Sequence, residues 1–296
     1  HLVEALVKAG HYVEAVDSLA HWAVPPDKSP ARKVHQLSVS RFIRHFTADD
    51  CIPNIIFHLA APCGVCNLTH RTCYDIVKTG QLVLEFARHV GARLVAFSTS
   101  EVIGYPGEHS EVSHLEVWPP YSLRSQYQAG KIAMECLMLG AGYPNIQVIR
   151  PFNIIGPHQR VDGGFVVPRF VKAALTGNSL TLFGDGEQRR TFISVHDVVR
   201  FCLMLLARWP ADPGLWHLTN PANRVSVAFL ARLVNHLAES KAGVDYIGNP
   251  KAALGWNAYE EVPEKAADIR KALAFGWKPE ISLEVALKEI INESKG

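Results

Sequence analysis

The sequence predicts a doubly wound α/β fold: a parallel sheet covered by helices on both faces, with a smaller C-terminal lobe. Three observations predict it. Short apolar runs alternate with longer stretches of helical spacing. Several of the short runs are apolar at both odd and even positions, as parallel strands covered on both faces must be. Gly10, Gly91 and Gly140 stand where a residue that accepts left-handed backbone closes a helix.

The elements follow in order. Residues 1–10 (HLVEALVKAG) carry helical spacing, and 12–17 (YVEAVD) read as a strand ending on Asp17. Further strands are expected at 33–37, 54–60, 93–98, 146–152 and 215–219, with helices at 74–91, 125–140, 167–177 and 194–209. From residue 157 the chain runs through loops punctuated by Gly and Pro, and after 220 it reads as mostly helical: SVAFLARLVNHLAE, EKAADIRKALAFG and SLEVALKEIINES. Segment 192–219 returns to the sheet. The expected division is therefore 1–156 with 192–219 as one domain, and 157–191 with 220–296 as the second lobe. The first strand of such a fold and its glycine-rich turn should precede HLVEALV, and the sequence does not contain them, so a fragment of a longer chain is expected.

Composition narrows the function. Of the 296 residues 48% are hydrophobic and 20% charged, as in a soluble enzyme. Thirty basic against 28 acidic residues, a net charge of +2, leave no footprint for nucleic acid or an anionic membrane. No apolar run is long enough to cross a bilayer and no secretory signal is recognised, so a cytoplasmic protein without nucleic-acid or membrane partners is expected. Of six cysteines, Cys51, Cys63, Cys66 and Cys73 crowd together. Cys63-Gly-Val-Cys66 near His70 has the spacing of half a metal or redox site, but no second ligand pair follows. The alternative is reduced thiols in a loop, and no metal is expected.

Ligands of doubly wound sheets sit at the carboxyl ends of the strands. Asp17 ends the second expected strand position, where an acid bonds an adenosine ribose; the alternative is a turn or capping aspartate. Ser98-Thr99-Ser100-Glu101 follows the run RLVAF, and Phe152-Asn153 follows IQVIRP. In RSQYQAGK, Tyr127 and Lys131 are four apart and share a helix face. Alone, that pair reads as a surface tyrosine beside a surface lysine.

Taken in this order, the pieces VDSL, FHLAAP, VGARLVAFSTSEVIG, RSQYQAGK, VIRPFNIIGP, VVPRFVKAALTGNSLTLFGDGEQRRTFISVHDV and FGWKPEISLEVALKEII resemble the extended short-chain dehydrogenase/reductases, the NAD-dependent epimerase/dehydratase family. The resemblance spans nearly the whole chain and implies a Rossmann-type fold, NAD as cofactor and a nucleotide sugar, UDP-linked by preference, as substrate. It implies that Tyr127 takes the proton of a sugar hydroxyl while hydride leaves the same carbon, with its phenol drawn below the ordinary ~10 by the neighbouring cations. Lys131 then holds the cofactor ribose, and Thr99 the reacting hydroxyl. Asp17, Leu59, Ala60, Ala61, Ser98 and Phe152 become cofactor neighbours, and Asn153, Val167, Arg169, Arg190 and Lys265 substrate neighbours. Two helices per subunit, 74–91 and 125–140, would pair a homodimer through Leu82, Phe86, Cys136, Leu137 and Leu139.

The chain also departs from the family pattern. Ile103 stands where a tyrosine is usual, Ile76, Thr79 and Gly80 replace an Asn and a Gly-Thr pair, and Lys265 replaces an arginine, losing the bidentate fork. The Thr-Ser-Glu run, RSxYxxGK and VGAR together match the UDP-glucuronate decarboxylases. Serine at 100 is a poor general acid for a 4,6-dehydratase, and a 4-epimerase leaves Glu101 idle. Decarboxylation through a 4-keto sugar is the first expectation. Epimerase, dehydratase and a non-catalytic nucleotide-binding member are the alternatives.

Overall fold

The computed structural model describes residues 1–18, 26–47, 49–62, 64, 67–104, 107–113, 115, 117, 123–248 and 264–295. Cys63 and Cys66 lie outside the described residues. Among the described residues no group of three or more His, Cys, Asp or Glu is placed to hold a metal, and no helix is long and apolar enough to cross a membrane.

The chain opens with α1 (Leu2–Lys8), β1 (Glu14–Asp17), β2 (Lys33–Gln36), α2 (Val39–His45), β3 (Ile55–His58), α3 (Thr72–Val90) and β4 (Arg93–Phe97). It continues through β5 (Gly107–His109), α4 (Leu123–Leu139), β6 (Ile146–Pro151), β7 (Ile154–Ile155), α5 (Val166–Thr176), β8 (Leu180–Phe183), β9 (Arg189–Thr191) and β10 (Ile193–Ser194). Then come α6 (Val195–Ala207), β11 (Gly214–Leu218), β12 (Arg224–Ser226), α7 (Val227–Leu237), β13 (Val244–Ile247) and β14 (Lys265–Ala267). The helices Arg270–Ala274 and Leu283–Lys295 follow.

Four strands form the central parallel sheet in the order β11-β6-β4-β3. Strand alternation sends side chains to opposite faces. Leu94, Ala96, Ile146 and Val148 meet α3 and α4 through Ile76, Val83, Ala87, Met134 and Met138. Val95, Phe97 and Ile149 meet α6 and the Arg270–Ala274 helix through Val198, Phe201, Leu205 and Ala272. Both faces are covered, which is the expected doubly wound fold. The sheet comes in two pieces, however: among the described residues β1 pairs only with β2, and β3 only with β4.

A separate core lies toward the C-terminal lobe, where Phe170, Leu182, Phe192, Leu230, Val234, Leu287 and Ile290 gather α5, α7 and the last helix. Small strand pairs flank this region, β10 with β7 and β12 with β9, and β14 with β5 joins it to the segment that follows β4.

Two expectations are corrected, and one helix is added. The run EKAADIRKALAFG is not a helix from its start. Lys265–Ala267 pairs in parallel with β5, Lys265 opposite Gly107. The helix begins only at Arg270, whose N–H donates to Asp268 Oδ1 at 2.9 Å. Helix α2 had no counterpart in the sequence reading; its signal is Ser38, whose hydroxyl accepts from the Arg41 N–H. Phe86, assigned to a dimer face, is buried edge-to-face against Phe46, with ring centroids 4.8 Å apart, because α2 packs over that part of α3. Leu82, Leu137 and Leu139 remain half-buried, and Cys136 is exposed.

Candidate active site

Strand β4 ends at Phe97 in the middle of the sheet, and the chain turns at once into a single 3-10 turn, Ser100–Val102. Thr99 caps that turn: its Oγ1 accepts from the Glu101 N–H at 3.2 Å. Four consecutive polar residues are thereby held at the carboxyl edge of the sheet. Ser98 and Ser100 are buried, and Ser98 Oγ has no hydrogen-bond partner.

Helix α4 runs beside the turn. Tyr127 and Lys131 share its inner face, with the Lys131 ammonium 6.0 Å from the centre of the Tyr127 ring. Lys131 is buried and donates to the Phe97 carbonyl at 2.6 Å, so the last residue of β4 fixes its position. The helix lies close to α3 because Gly130 offers no side chain. A Cβ there would stand 2.9 Å from the Cys73 Cα. Beneath it, Glu135 of α4 takes Arg150 of β6 in a buried bidentate pair at 2.8 and 2.5 Å, and Arg150 reaches His217 of β11 at 3.3 Å.

Glu101 is the electrostatic centre. Its Oε2 accepts from Nε and Nη2 of Arg124, each at 2.7 Å, and its Oε1 from Nζ of Lys265 at 3.3 Å. Its backbone carbonyl accepts from Gln128 at 3.0 Å. Burial alone would raise the Glu101 carboxyl, but Arg124 and Lys265 outweigh it and hold the group down to about 2. Burial lowers the Lys265 ammonium to about 8, with Glu101 opposing and Arg124 adding to the shift. At the end of neighbouring β3, burial and the charge of Lys131 push His58 down to about 4, so it is neutral at pH 7.

The structure brings Thr99, Ser100, Glu101, Tyr127, Lys131 and Lys265 together. Arg190 on β9 adjoins them, close enough for its charge to act on Lys265. Thr191, one residue on, donates to the Lys265 carbonyl at 3.3 Å. Asp17 is exposed at the end of β1, and Leu59 and Ala60 are exposed after β3, with Ala61 half-buried. Asn153 is exposed, with Nδ2 donating to the Thr191 carbonyl at 2.9 Å.

The Phe152 side chain is fully buried with Val102, Ile103 and Ala267, beneath the site. Val167 is buried in the core of the C-terminal lobe, and Arg169 lies over the Phe183 ring, 5.5 Å from its centre. Ile103, in place of a tyrosine, belongs to the buried floor rather than to the open site. Arg124, Gln128 and His58 had no assigned role. Arg124 and Gln128 lie inside RSQYQAGK, but only the fold shows what they hold.

A capped polar turn and a tyrosine–lysine pair at the carboxyl ends of a central parallel sheet define a Rossmann-type protein. The family model for the NAD dependent epimerase/dehydratase family matches residues 1–214, and the chain belongs to that family. It is 32% identical to UDP-glucuronic acid decarboxylase 1 of Xenopus tropicalis, over 99% of this chain and 68% of the relative. It is 30% identical to UDP-glucuronic acid decarboxylase 2 of Arabidopsis thaliana, over 99% of this chain and 65% of the relative. The chain thus spans about two thirds of the length of these relatives. Among solved structures, MoeE5 in complex with UDP-glucuronic acid and NAD superimposes with a TM-score of 0.80 at 26% identity, covering 100% of this chain and 94% of that one. UDP-glucose 4-epimerase from Thermotoga maritima gives a TM-score of 0.84 at 23% identity, covering 100% and 94%, and shares the fold.

Proposed function

We propose that this chain carries the active site of an NAD-dependent UDP-glucuronate decarboxylase, forming UDP-xylose and CO₂ through a 4-keto sugar. The observation that carries the reading is the Thr99–Ser100–Glu101 turn, with its carboxylate held between Arg124 and Lys265. The two cations outnumber that carboxylate, and Arg190 adds a third positive charge nearby. An acidic sugar suits that balance better than a neutral one. The similarity to named decarboxylases over 99% of the chain points the same way.

The residues present fit NAD. Asp17, Leu59 and Ala60 are exposed at the strand ends, and Ser98 Oγ is a buried hydroxyl with an unused hydrogen-bonding capacity. Asp17 would hold the adenosine ribose, favouring NAD over its 2′-phosphate, and Lys131 the other ribose. When bound, NAD supplies a reversible hydride acceptor. Tyr127 takes the proton from the sugar O4 as C4 is oxidised, and Thr99 orients that hydroxyl. The product is a β-keto acid. Its C5–C6 bond breaks, CO₂ leaves, and the electron pair enters the C4–C5 enolate. A proton from water then adds to C5, and Tyr127 returns its proton to O4 as the ketone is reduced. No acid is required at C6, so Ser100 suffices there. Asn153 and Arg190 would contact the sugar diphosphate.

We also propose that the protein is a cytoplasmic homodimer, joined across α3 and α4 through Leu82, Cys136, Leu137 and Leu139. Light scattering at micromolar concentration reads the assembly, and a folded monomer would count against it.

The decisive experiment incubates the full-length protein with UDP-glucuronate and NAD⁺. UDP-xylose and CO₂ should appear without net NADH. In Glu101→Gln, the steps after oxidation should slow more than hydride transfer, so 4-keto sugar and NADH accumulate. Interconversion of UDP-glucose and UDP-galactose with UDP-glucuronate ignored would establish an epimerase instead. Release of a 4-keto-6-deoxy sugar would establish a dehydratase.

A further inference from the structure

Helix α4 grips the turn after β4 at two points that flank Tyr127. Three residues before the tyrosine, Arg124 binds Glu101 Oε2 through two nitrogens. One residue after it, Gln128 binds the Glu101 carbonyl. Lys265 approaches Oε1 from the other side, on β14, with Arg190 of β9 behind it. Both carboxylate oxygens therefore face cationic N–H donors. A neutral carboxyl would have to aim its O–H at one of them, so the geometry accommodates the anion alone.

We propose that Arg124 is a positioning residue: by fixing Oε2 from the first turn of α4, it keeps Glu101 an anion turned toward Lys265, so that Glu101 serves the reaction as a fixed negative charge, never as a proton donor. The inference rests on the decarboxylase reading only for the reaction it serves. The same arginine sets the spacing between the turn and Tyr127, because it is built into the helix that carries the tyrosine.

Arg124→Met removes the charge and both hydrogen bonds at similar length, and Arg124→Lys restores the charge with one donor point. Turnover of Arg124→Met should fall ~10–100-fold, the scale expected for a misplaced group at the reacting centre. Arg124→Lys should recover at least about threefold of that loss at the same melting temperature. The acid limb of kcat/KM should move upward by about one pH unit or more in Arg124→Met, because an opposite charge at this range lowers a carboxyl by ~1–3 units. A strut of purely structural importance would lower turnover without moving that limb. An unmoved limb, or Arg124→Lys no better than Arg124→Met, overturns the proposal.

The wild-type protein gives an independent reading that needs no activity and no variant. With ¹³C-labelled glutamate carboxyls, the Glu101 resonance should stay in its ionised position down to pH ~4, well below the ordinary midpoint of a free glutamate. Titration of that resonance with a midpoint above 4 overturns the proposal even if Arg124→Met fails to fold. If the wild-type protein converts no UDP-glucuronate, the decarboxylase reading falls, and the carboxyl titration still decides the state of Glu101.

Discussion

Gly130→Ala is a one-carbon test of how the tyrosine–lysine helix is seated. The added Cβ would lie 2.9 Å from the Cys73 Cα, 3.2 Å from Ile76 Cδ1 and 3.3 Å from the Cys73 carbonyl oxygen. Two of these atoms belong to the α3 backbone, which cannot rotate away. An ordinary carbon contact needs 3.4–4 Å, so the two helices must separate by roughly half an ångström or more. Overpacking of this kind costs ~1–3 kcal/mol. The better helix propensity of alanine returns up to ~1 kcal/mol, leaving a net loss of ~0–3 kcal/mol. Turnover should suffer more than stability, because Gly130 immediately precedes Lys131 and lies three residues after Tyr127. A displacement of that size moves both groups against Thr99 and predicts a ~10–100-fold loss of turnover. Gly80→Ala is the matched control. Its Cβ would also meet an atom at 2.9 Å, but that atom is Met134 Cγ, on a flexible side chain. Turnover within about threefold of wild type is expected there, since neither reacting group moves. Steady-state product formation and thermal melting on both variants decide the matter. Wild-type turnover in Gly130→Ala would refute the claim that close approach of α3 and α4 sets the site.

Three further outcomes follow from the same geometry. Tyr127→Phe removes one oxygen and should leave melting unchanged while turnover falls at least ~100-fold; unchanged turnover would return the pair to the surface. Glu135→Leu leaves the Arg150 guanidinium buried without its carboxylate and should cost ~3–5 kcal/mol by urea unfolding, most of it recovered in the double variant with Arg150→Met. A single-variant cost under about 1 kcal/mol would show that water reaches the pair. Lys265 titrates near 8, below its ordinary 10.5, so folding carries a buried-charge penalty at neutral pH that fades as pH rises from about 8 to 10.5. Activity that needs the cation should decline as pH rises through about 8, and Lys265→Arg should extend activity to higher pH; an unchanged alkaline limb would show that Lys265 does not set it.

The sequence made α4 legible because its periodicity places Tyr127 and Lys131 on one face, and the structure gives a helix there, Leu123–Leu139. The central strands were legible for a similar reason: runs such as RLVAF and IQVIRP are apolar on both parities, and both are covered on both faces. What stayed hidden depends on contacts between distant segments. Nothing local marks Lys265–Ala267 as a strand; its partner, Gly107–His109, lies far back in the chain. Arg124 sits within the quoted motif, yet its role emerges only when the turn at Glu101 folds against it. Phe86 and Val167 have the residue types of an interface and a pocket, but Phe86 is buried against Phe46 and Val167 in the core of the C-terminal lobe, contacts that a one-dimensional pattern does not reveal.

The two cations on Glu101 differ in one further respect: the length of chain that must close to bring each into place. Arg124 is 23 residues away and Lys265 is 164. Closing the longer loop costs more chain entropy, though only by a logarithm of length, and its contact waits on the intervening elements. Thr99, Glu101, Arg124, Tyr127 and Lys131 can therefore assemble as a local unit once β4 and α4 have met. The last charge arrives only when β14 docks on β5. A partly folded chain would hold the tyrosine and lysine in place while its carboxylate still lacked one counter-ion, and the site's charge balance would record how far folding had gone.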